Sequence, residues 1–351
     1  MTPLDRALAA LLNPLRPVRT EDLALADAVG ATLAHPIVNP AALPSRVVAL
    51  RTGWAVTAIE TVGAAAYAPA FLASTPVPVR AGEALPDGGD AVVPHDAVTL
   101  AGVAELTVEA TPGEGARRVG EDAAAGAILR PAGARVRGID LALAGAAGVT
   151  TGTVRRARVT LVGHPAAEAA CTIVTRRAGQ LGALVSAHSA TQVSAAGLRE
   201  LEADLVVLVG FDEAGALALA QAGCVTAAGL GLRPGEETSI GLLDGGMAVL
   251  LVSARAEAAF AASRCVLQPC LAHLTGATAE LPAYRAPLTR KIASAVGVAE
   301  VALLRTTSAG LEPLAVADLM LAALCAADAW LLVPADREGY AAGEVVEAFA
   351  V

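Results

Sequence analysis

Two arginines and two carboxylates lie close together within residues 117–122. Arg117 and Arg118 are adjacent, and Glu121 and Asp122 follow after a valine and a glycine. Guanidinium forks bind oxyanions in a bidentate manner, and a glycine lets the backbone approach a ligand closely. Residues of these types at this spacing indicate a site that handles an anion beside a cation or a polar ring.

The same residues also permit a structural interpretation. Arginines beside carboxylates can satisfy one another, and a turn rich in glycine and charge is more often a solvated loop than a binding site. We therefore predict that Arg117 and Arg118 are structural before they are functional. A ligand-binding role for the pair remains the alternative.

This segment resembles the arginine motif of the MoeA family of molybdopterin molybdenumtransferases, and other family motifs have counterparts along nearly the whole chain. Residues 38–55 align to the family segment that ends in Asp-Gly-Tyr-Ala. Residues 85–93 are similar to its proline-glycine turn before an apolar strand, and residues 232–237 resemble its Lys-Pro-Gly-Lys-Pro loop. Residues 339–347 resemble its closing strand.

The resemblance implies an α/β multidomain fold with a doubly wound α/β domain similar to a molybdopterin-binding domain. It also implies an elongated homodimer, in which the β lobe of one subunit faces the α/β domain of the other. The family reaction joins molybdate to the dithiolene of adenylylated molybdopterin and releases AMP. Molybdopterin or its adenylylated form, magnesium at the junction if catalysis occurs, and other proteins of the cofactor pathway are the implied partners.

The chain departs from the family where chemistry would occur. Thr52 stands at the carboxylate position of the Asp-Gly-Tyr-Ala motif and cannot hold a cation with a formal charge. The loops at 162–168, 209–213 and 251–255 have lost their family residues, including a glycine-rich cradle at the last of them. Glu236 puts a negative charge near the second lysine of the Pro-Gly loop, which would repel an anionic ligand.

The predicted site combines the surviving motif residues with the ends of the predicted strands. Asp122 and Asp212 are the predicted catalytic carboxylates. Glu213 and Arg233 are further groups that could compensate for the missing ones. The residues expected to bind the ligand are Arg117, Arg118, Glu121, Gly210, Arg233, Pro234, Gly235, Thr52 and Gly53. No metal-ligand set is predicted.

The N-terminal half of the chain changes its hydrophobic pattern twice. Residues 4–14 and 20–34 have apolar residues at helical spacing, with Thr20 as an N-cap, and residues 139–148 are predicted to be helical as well. Between them, residues 36–117 consist of short apolar pieces punctuated by proline and glycine. That pattern predicts a small β lobe inserted into a helical linking domain.

After Arg155 the pattern alternates between strand and helix. Strands are predicted at 158–163, 183–187 and 204–210, and a helix at 169–182; this alternation is typical of a doubly wound sheet whose ligand lies beyond the carboxyl ends of the strands. The residues placed at that cleft are Gly163, His164, Gly210, Phe211 and Asp212.

A packing helix at 256–275 and an all-β tail at 285–351 complete the prediction. The predicted domains are 1–35 plus 118–156 (helical linking), 36–117 (β lobe), 157–280 (α/β) and 281–351 (C-terminal β).

Composition excludes several classes of protein. A net charge of −9 argues against nucleic-acid binding, and no apolar run is long enough to span a bilayer, so a cytoplasmic protein is expected. The five cysteines have no CxxC spacing, which indicates free thiols rather than a zinc site or disulfides. With one lysine against 24 arginines, richness in arginine is by itself poor support for an anion site.

Three functions remain open. The first is a non-catalytic or weakly active relative that keeps the fold and binds molybdopterin or a pathway partner. The second is an active molybdopterin molybdenumtransferase, and the third is a binder of an unrelated small molecule on the same fold. The lost motif residues favour the first, because removing one positioned donor or ligand already costs about 10²–10³ in rate.

Overall fold

A computed structural model describes residues 1–351, which form two compact units. The first unit comprises Met1–His35, Ala132–Arg137 and Gly152–Val351, and the second comprises Pro36–Pro131 and Gly138–Thr151. The finer, four-part division expected from the sequence stays a prediction.

A six-stranded sheet forms the centre of the first unit. Its strands run in the order Leu184–Ser189, Arg158–Gly163, Leu205–Val209, Ala248–Val252, Ser239–Leu243 and Gly223–Ala227. The first four are parallel and the last two are antiparallel to their neighbours. All residues of Leu205–Val209 are buried, as its unbroken apolar run predicts for a strand covered on both faces.

Helices cover both faces of this sheet. Val207 and Leu250 share one apolar cluster with Glu168–Gln180 and Ala256–Ala262, while Val206 and Val249 face a second cluster on the opposite side. The doubly wound sheet predicted from the alternating pattern is therefore confirmed. The eight α-helices of the chain are Leu4–Leu12, Gly138–Ala146, Glu168–Gln180, Ala195–Arg199, Asp212–Ala222, Ala256–Ala262, Gln268–Thr275 and Leu321–Ala326.

A second, seven-stranded sheet holds most of the C-terminal region. It contains Thr2–Pro3, Leu230–Arg233, Ala299–Thr307, Ala329–Val333, Val345–Ala350 and Tyr284–Pro287 in that order, with Gly310–Val316 paired to Ala299–Thr307. Ile292–Ala293 and Gly339–Tyr340 pair separately. The predicted β tail is present, but the short helix Leu321–Ala326 interrupts it, which the sequence reading missed.

The predicted helix at 20–34 is wrong. Thr20–Ala24 is a strand in a three-stranded sheet with Thr151–Arg155 and Thr32–Leu33, and a turn that ends at Gly30 (φ 87°) separates the two N-terminal pieces. Thr20 therefore begins a strand instead of capping a helix. Pairing with a distant strand overrides the local apolar spacing, and the left-handed glycine ends any helical continuation.

The second unit consists mainly of short strands around two small apolar clusters. One three-stranded sheet contains Val77–Val79, Gly53–Val56 and Ala91–Val93, and another contains Val98–Ala101, Val103–Leu106 and Ala70–Phe71. Two further sheets have two strands each, Ala116–Arg117 with Val48–Ala49 and Ile128–Arg130 with Ile37–Val38. The β texture predicted for residues 36–117 is confirmed. Gly138–Ala146 forms the helix predicted at 139–148.

Candidate functional site

The carboxyl ends of the parallel strands meet where the sequence placed the cleft. The His164 N–H donates to the Val209 carbonyl over 2.9 Å, and the Gly210 N–H donates to the Val252 carbonyl over 2.9 Å. These bonds extend the sheet by one residue and align the three strand ends. Two cavities, of about 320 and 400 Å³, are lined by residues of these ends.

Gly210 has a structural reason to be glycine. Its φ is 80°, and a Cβ at this position would lie 2.8 Å from the Ala167 Cβ. Next to it, the rings of His164 and Phe211 pack edge to face with their centroids 5.9 Å apart. The glycine thus permits a tight turn between strand and helix, and its predicted contact with a ligand stays a prediction.

The smaller cavity is acidic. Asp212 and Glu213 form the first turn of the helix Asp212–Ala222, and both line the cavity together with Glu237. Carboxylates at a helix N-terminus are stabilised by the helix dipole, which explains this pair without a ligand. Together the three side chains make this cavity unfavourable for an anion.

The one cation of the Pro-Gly loop is held in two ion pairs. Arg233 pairs with Glu236 over 3.3 Å and with Glu300 over 3.2 Å, and Glu300 is only 4% exposed. Glu236 also accepts a 2.9 Å hydrogen bond from the Gly235 N–H. Burial raises the pKa of Glu236, but hydrogen bonds from backbone N–H groups and from Arg233 outweigh it and hold the pKa below the ordinary value. Arg233 is therefore neutralised within the protein.

Arg255 extends this network of charges toward the acidic cavity. Its guanidinium lies 2.8 Å from Glu257 and 3.5 Å from Glu237. Burial lowers the pKa of Arg255, yet the hydrogen bond to Glu257 and the neighbouring carboxylates outweigh that and raise it. This arginine stands in the loop that lost the family's glycine-rich cradle, and it is bound to carboxylates of its own chain.

The arginine motif, in the second unit, forms a closed network. Arg117 pairs with Asp122 over 3.0 Å. The Arg118 N–H donates to Glu121 over 2.7 Å, and its side chain donates to the Pro112 carbonyl over 2.7 Å. The intramolecular network that the sequence predicts is therefore present. A ligand contact by these four side chains stays a prediction.

Thr52 and Gly53 lie in the same unit as the arginine motif. The Thr52 hydroxyl accepts a 3.3 Å hydrogen bond from the Ala81 N–H. A Cβ at Gly53 would lie 2.0 Å from the Val93 carbonyl oxygen, so only glycine lets these two strands approach. Gly53 is therefore required for the packing of these strands, independently of the residue at position 52.

The predicted residues fall on both units. Thr52, Gly53, Arg117, Arg118, Glu121 and Asp122 belong to the second, and Gly210, Asp212, Arg233, Pro234 and Gly235 to the first. Within the first unit the structure connects Asp212 to the Pro-Gly loop through Glu237, which lines the same cavity.

Sequence reasoning missed Glu300 and the two serines, Ser239 and Ser253, that line the acidic cavity. A signal for Glu300 was present, because a carboxylate inside the apolar run of Ala299–Thr307 requires a buried partner. The serines gave no such signal.

Metal ligands are not assembled in this structure. No three side chains among His, Cys, Asp and Glu converge closely enough to hold a metal ion, so the residues present do not fit a magnesium site. The half-buried Cys171, which lines the larger cavity, has its pKa raised by burial and stays a thiol. No helix is long and apolar enough to cross a bilayer.

Known proteins resemble this chain in sequence and in fold. Residues 2–148 match the family model described as MoeA N-terminal region (domain I and II). Over these residues, which make up less than half of the chain, the sequence is similar to MoeA proteins. Two relatives, molybdopterin molybdenumtransferase 2 from Mycobacterium tuberculosis strains CDC 1551 / Oshkosh and ATCC 25618 / H37Rv, are each 33% identical over 164 residues. That match covers 41% of this chain and 40% of each relative, so it spans less than half of their length.

Solved structures extend the likeness to the fold of the whole chain. The molybdopterin biosynthesis moeA protein from Pyrococcus horikoshii OT3 superposes with a TM-score of 0.79 at 22% identity, and all of both chains is covered. A molybdenum cofactor biosynthesis protein from Pyrococcus furiosus superposes with a TM-score of 0.66 at 20% identity, again over both whole chains. The predicted α/β multidomain fold is confirmed.

Proposed function

We propose that this MoeA-like chain is a molybdopterin-binding protein of molybdenum cofactor biosynthesis that is non-catalytic or only weakly active. Support for the pathway comes from the family match and from the names of the relatives. Support for the lost activity comes from the site itself.

One observation carries the proposal. Arg233 is the cation of the Pro-Gly loop, and Glu236 and Glu300 already occupy its guanidinium. A transfer reaction on phosphate and oxyanion groups needs positioned donors that stabilise developing negative charge. Here the loop's donor is paired internally, and the adjacent cavity presents Asp212 and Glu237 instead.

Family positions are changed in both units of the chain. Thr52 replaces a carboxylate, Arg255 stands where the family has a glycine-rich turn, and Glu236 reverses a charge. Groups that act as a unit are not rescued one at a time. We therefore expect Thr52→Asp to leave molybdate insertion unrestored in an assay with adenylylated molybdopterin, molybdate and magnesium.

An active molybdopterin molybdenumtransferase is the second candidate, and the acidic cavity is the observation that favours it. Asp212, Glu213 and Glu237 line one space of about 320 Å³, so carboxylates stand at the predicted cleft although they do not converge into a metal site. On this alternative, Asp212 would compensate for groups that the chain has lost. Asp212→Asn would then abolish turnover.

We propose a homodimer as well, on the basis of the family resemblance. Sedimentation at micromolar concentration is expected to give twice the chain mass of 34.9 kDa. A sharp monomer boundary across that range would refute it.

Binding is tested by calorimetric titration of the purified full chain with molybdopterin and with adenylylated molybdopterin. We expect saturable binding of at least one form, and tighter binding by Asp212→Asn because the cavity loses a negative charge. Asp244→Asn removes an exposed carboxylate elsewhere in the first unit and serves as the matched control. Absence of binding by both forms would overturn the molybdopterin assignment.

A further inference from the structure

A cavity of about 650 Å³ lies at the edge of the six-stranded sheet opposite to the acidic cavity. Arg158 and Leu184, the first residues of their strands, line it. Asp204 and Met247, which line it as well, come immediately before the other two parallel strands. The cavity is therefore at the amino ends of the parallel strands, outside every family motif of the sequence, and its volume is in the range of small-molecule sites.

Cations outnumber carboxylates around this cavity. The charged residues that line it are Arg16, Arg19, Arg156, Arg158, Glu21 and Asp204. The Asp204 carboxylate accepts from the Arg158 backbone N–H over 2.7 Å and lies 3.5 Å from its guanidinium, so the charges of this pair cancel. Arg156 donates over 2.6 Å to the Asp27 backbone carbonyl, which carries no formal charge. Three cations and the single carboxylate of Glu21 remain.

Arg16 and Arg19 have no partner within the protein. Both side chains are exposed, and neither guanidinium makes a hydrogen bond or an ion pair. Asp22, which follows Glu21, accepts a 2.6 Å hydrogen bond from the Thr153 hydroxyl and does not line the cavity. A surface arginine by itself carries little information in this arginine-rich chain. Two unpaired arginines that line one cavity are a different observation, because their charges are available to a ligand.

The backbone that carries these two arginines is held in place. The Val18 N–H donates to the Leu274 carbonyl over 2.8 Å, and the His273 Nε2 lies 3.2 Å from the Leu15 carbonyl oxygen. Leu15 is buried in the apolar cluster beneath, and Pro17 fixes one φ angle between the two arginines. A segment anchored in this way loses little backbone freedom when a ligand binds.

We propose that this cavity binds a small organic phosphate, in which a phosphate group is carried on an apolar moiety. An excess of two positive charges matches a phosphate monoester, which carries close to two negative charges at neutral pH. The guanidinium groups of Arg16 and Arg19 pair with the phosphate oxygens, because a guanidinium fork fits the edge of a phosphate. Leu184 and Met247 supply an apolar wall for the rest of the molecule. The site does not rest on the proposed function, whose pterin is expected at the carboxyl ends of the strands.

The test titrates the full chain with phenyl phosphate in a calorimeter at constant ionic strength. Saturable binding to the wild type is expected, with weaker binding of inorganic phosphate, which lacks the ring, and none of phenol, which lacks the charge. Arg16→Met and Arg19→Met together should weaken the binding of phenyl phosphate by at least about tenfold, the effect of losing one charge-assisted hydrogen bond. Glu21→Gln should tighten it by roughly threefold, because the only unpaired carboxylate of the cavity is gone.

Two further variants separate the parts of the site. Leu184→Ala should weaken phenyl phosphate by roughly threefold and leave inorganic phosphate unchanged. Arg176→Met is the matched control, because it removes an exposed arginine without an ion pair outside this cavity, and it should change neither. Equal binding of phenyl phosphate by the wild type and the double arginine variant would overturn the proposal, as would a wild type that shows no saturable binding. Binding that responds to Asp212→Asn and not to the arginine pair would belong to the acidic cavity and equally overturn it.

Discussion

Arg233 and Arg264 belong to the same unit of the molecule, and their surroundings are opposite. Arg233 has two carboxylates for one guanidinium, one of them on the buried Glu300. Arg264, which lies in the π-helical turn Ser263–Leu267, is 7% exposed, and its buried Nε and Nη1 groups have no acceptor. The family motif therefore marks the arginine that is already satisfied. The unsatisfied arginine lies outside every motif that the sequence displays.

The largest expected effect follows from removing the satisfied arginine. Arg233→Met leaves the buried Glu300 carboxylate without a cation and with only the Ala295 N–H as a donor, so we expect the free energy of unfolding to fall by about 3 kcal/mol. Urea unfolding measures this change. Arg199→Met is the control, because its partner Asp244 is exposed, and the expected loss there is below about 1 kcal/mol. Equal losses of unfolding free energy in Arg233→Met and Arg199→Met would contradict the claim that Arg233 stabilises a buried carboxylate.

The unsatisfied arginine is expected to respond with the opposite sign. Folding lowers the pKa of Arg264, which means that the folded state disfavours its charged form at neutral pH. Arg264→Met should therefore raise the free energy of unfolding, by about 1 kcal/mol, in the same urea experiment. A loss as large as that of Arg233→Met would show that Arg264 has an acceptor in the folded protein after all.

A pH titration sharpens the Arg233 side of the comparison. The folded state lowers the pKa of Glu236 below its ordinary value of 4.5. A depressed carboxylate pKa gives stability that is present above the ordinary value and lost as pH falls through the folded value. The free energy of unfolding of the wild type should thus fall below pH 4.5 more steeply than that of Glu236→Gln. Parallel profiles for the two proteins would contradict this.

The smallest effect is expected in the second unit. Arg117 and Asp122 form an exposed pair, with side chains 41% and 36% accessible. A double-mutant cycle of Arg117→Met and Asp122→Asn should give a coupling energy below about 1 kcal/mol. If Arg117→Met abolished ligand binding without changing the melting temperature, the structural interpretation of this motif would be wrong.

The parallel sheet could be predicted because its signals are local. Leu205–Val209 is a continuous apolar run, and Gly210 follows at the turn that its φ of 80° requires. The residues of 20–34 misled the prediction, since their strand partner lies more than a hundred residues away at Thr151–Arg155. Apolar spacing within one segment does not contain that information.

The edge of the sheet where the strands end was predictable, but the charge balance around it was not. The sequence placed Asp212 at the strand ends and Arg233 in the Pro-Gly loop, and it anticipated the negative charge of Glu236. It could not show that Glu300 reaches Arg233 across 67 residues, because that pairing depends on the register between Leu230–Arg233 and Ala299–Thr307. The decisive partner of the motif arginine therefore emerged only from the three-dimensional pairing.

A single-turnover assay tests the central claim most directly. The purified full chain, in excess over adenylylated molybdopterin, is mixed with molybdate and magnesium, and AMP release and molybdenum insertion are followed together. We predict that the pterin stays bound while both products form no faster than in a reaction without protein, or only slowly compared with an active MoeA enzyme run in parallel. Turnover at the rate of that enzyme would contradict the account, because it would show that internally paired Arg233 and the altered loops still support the reaction.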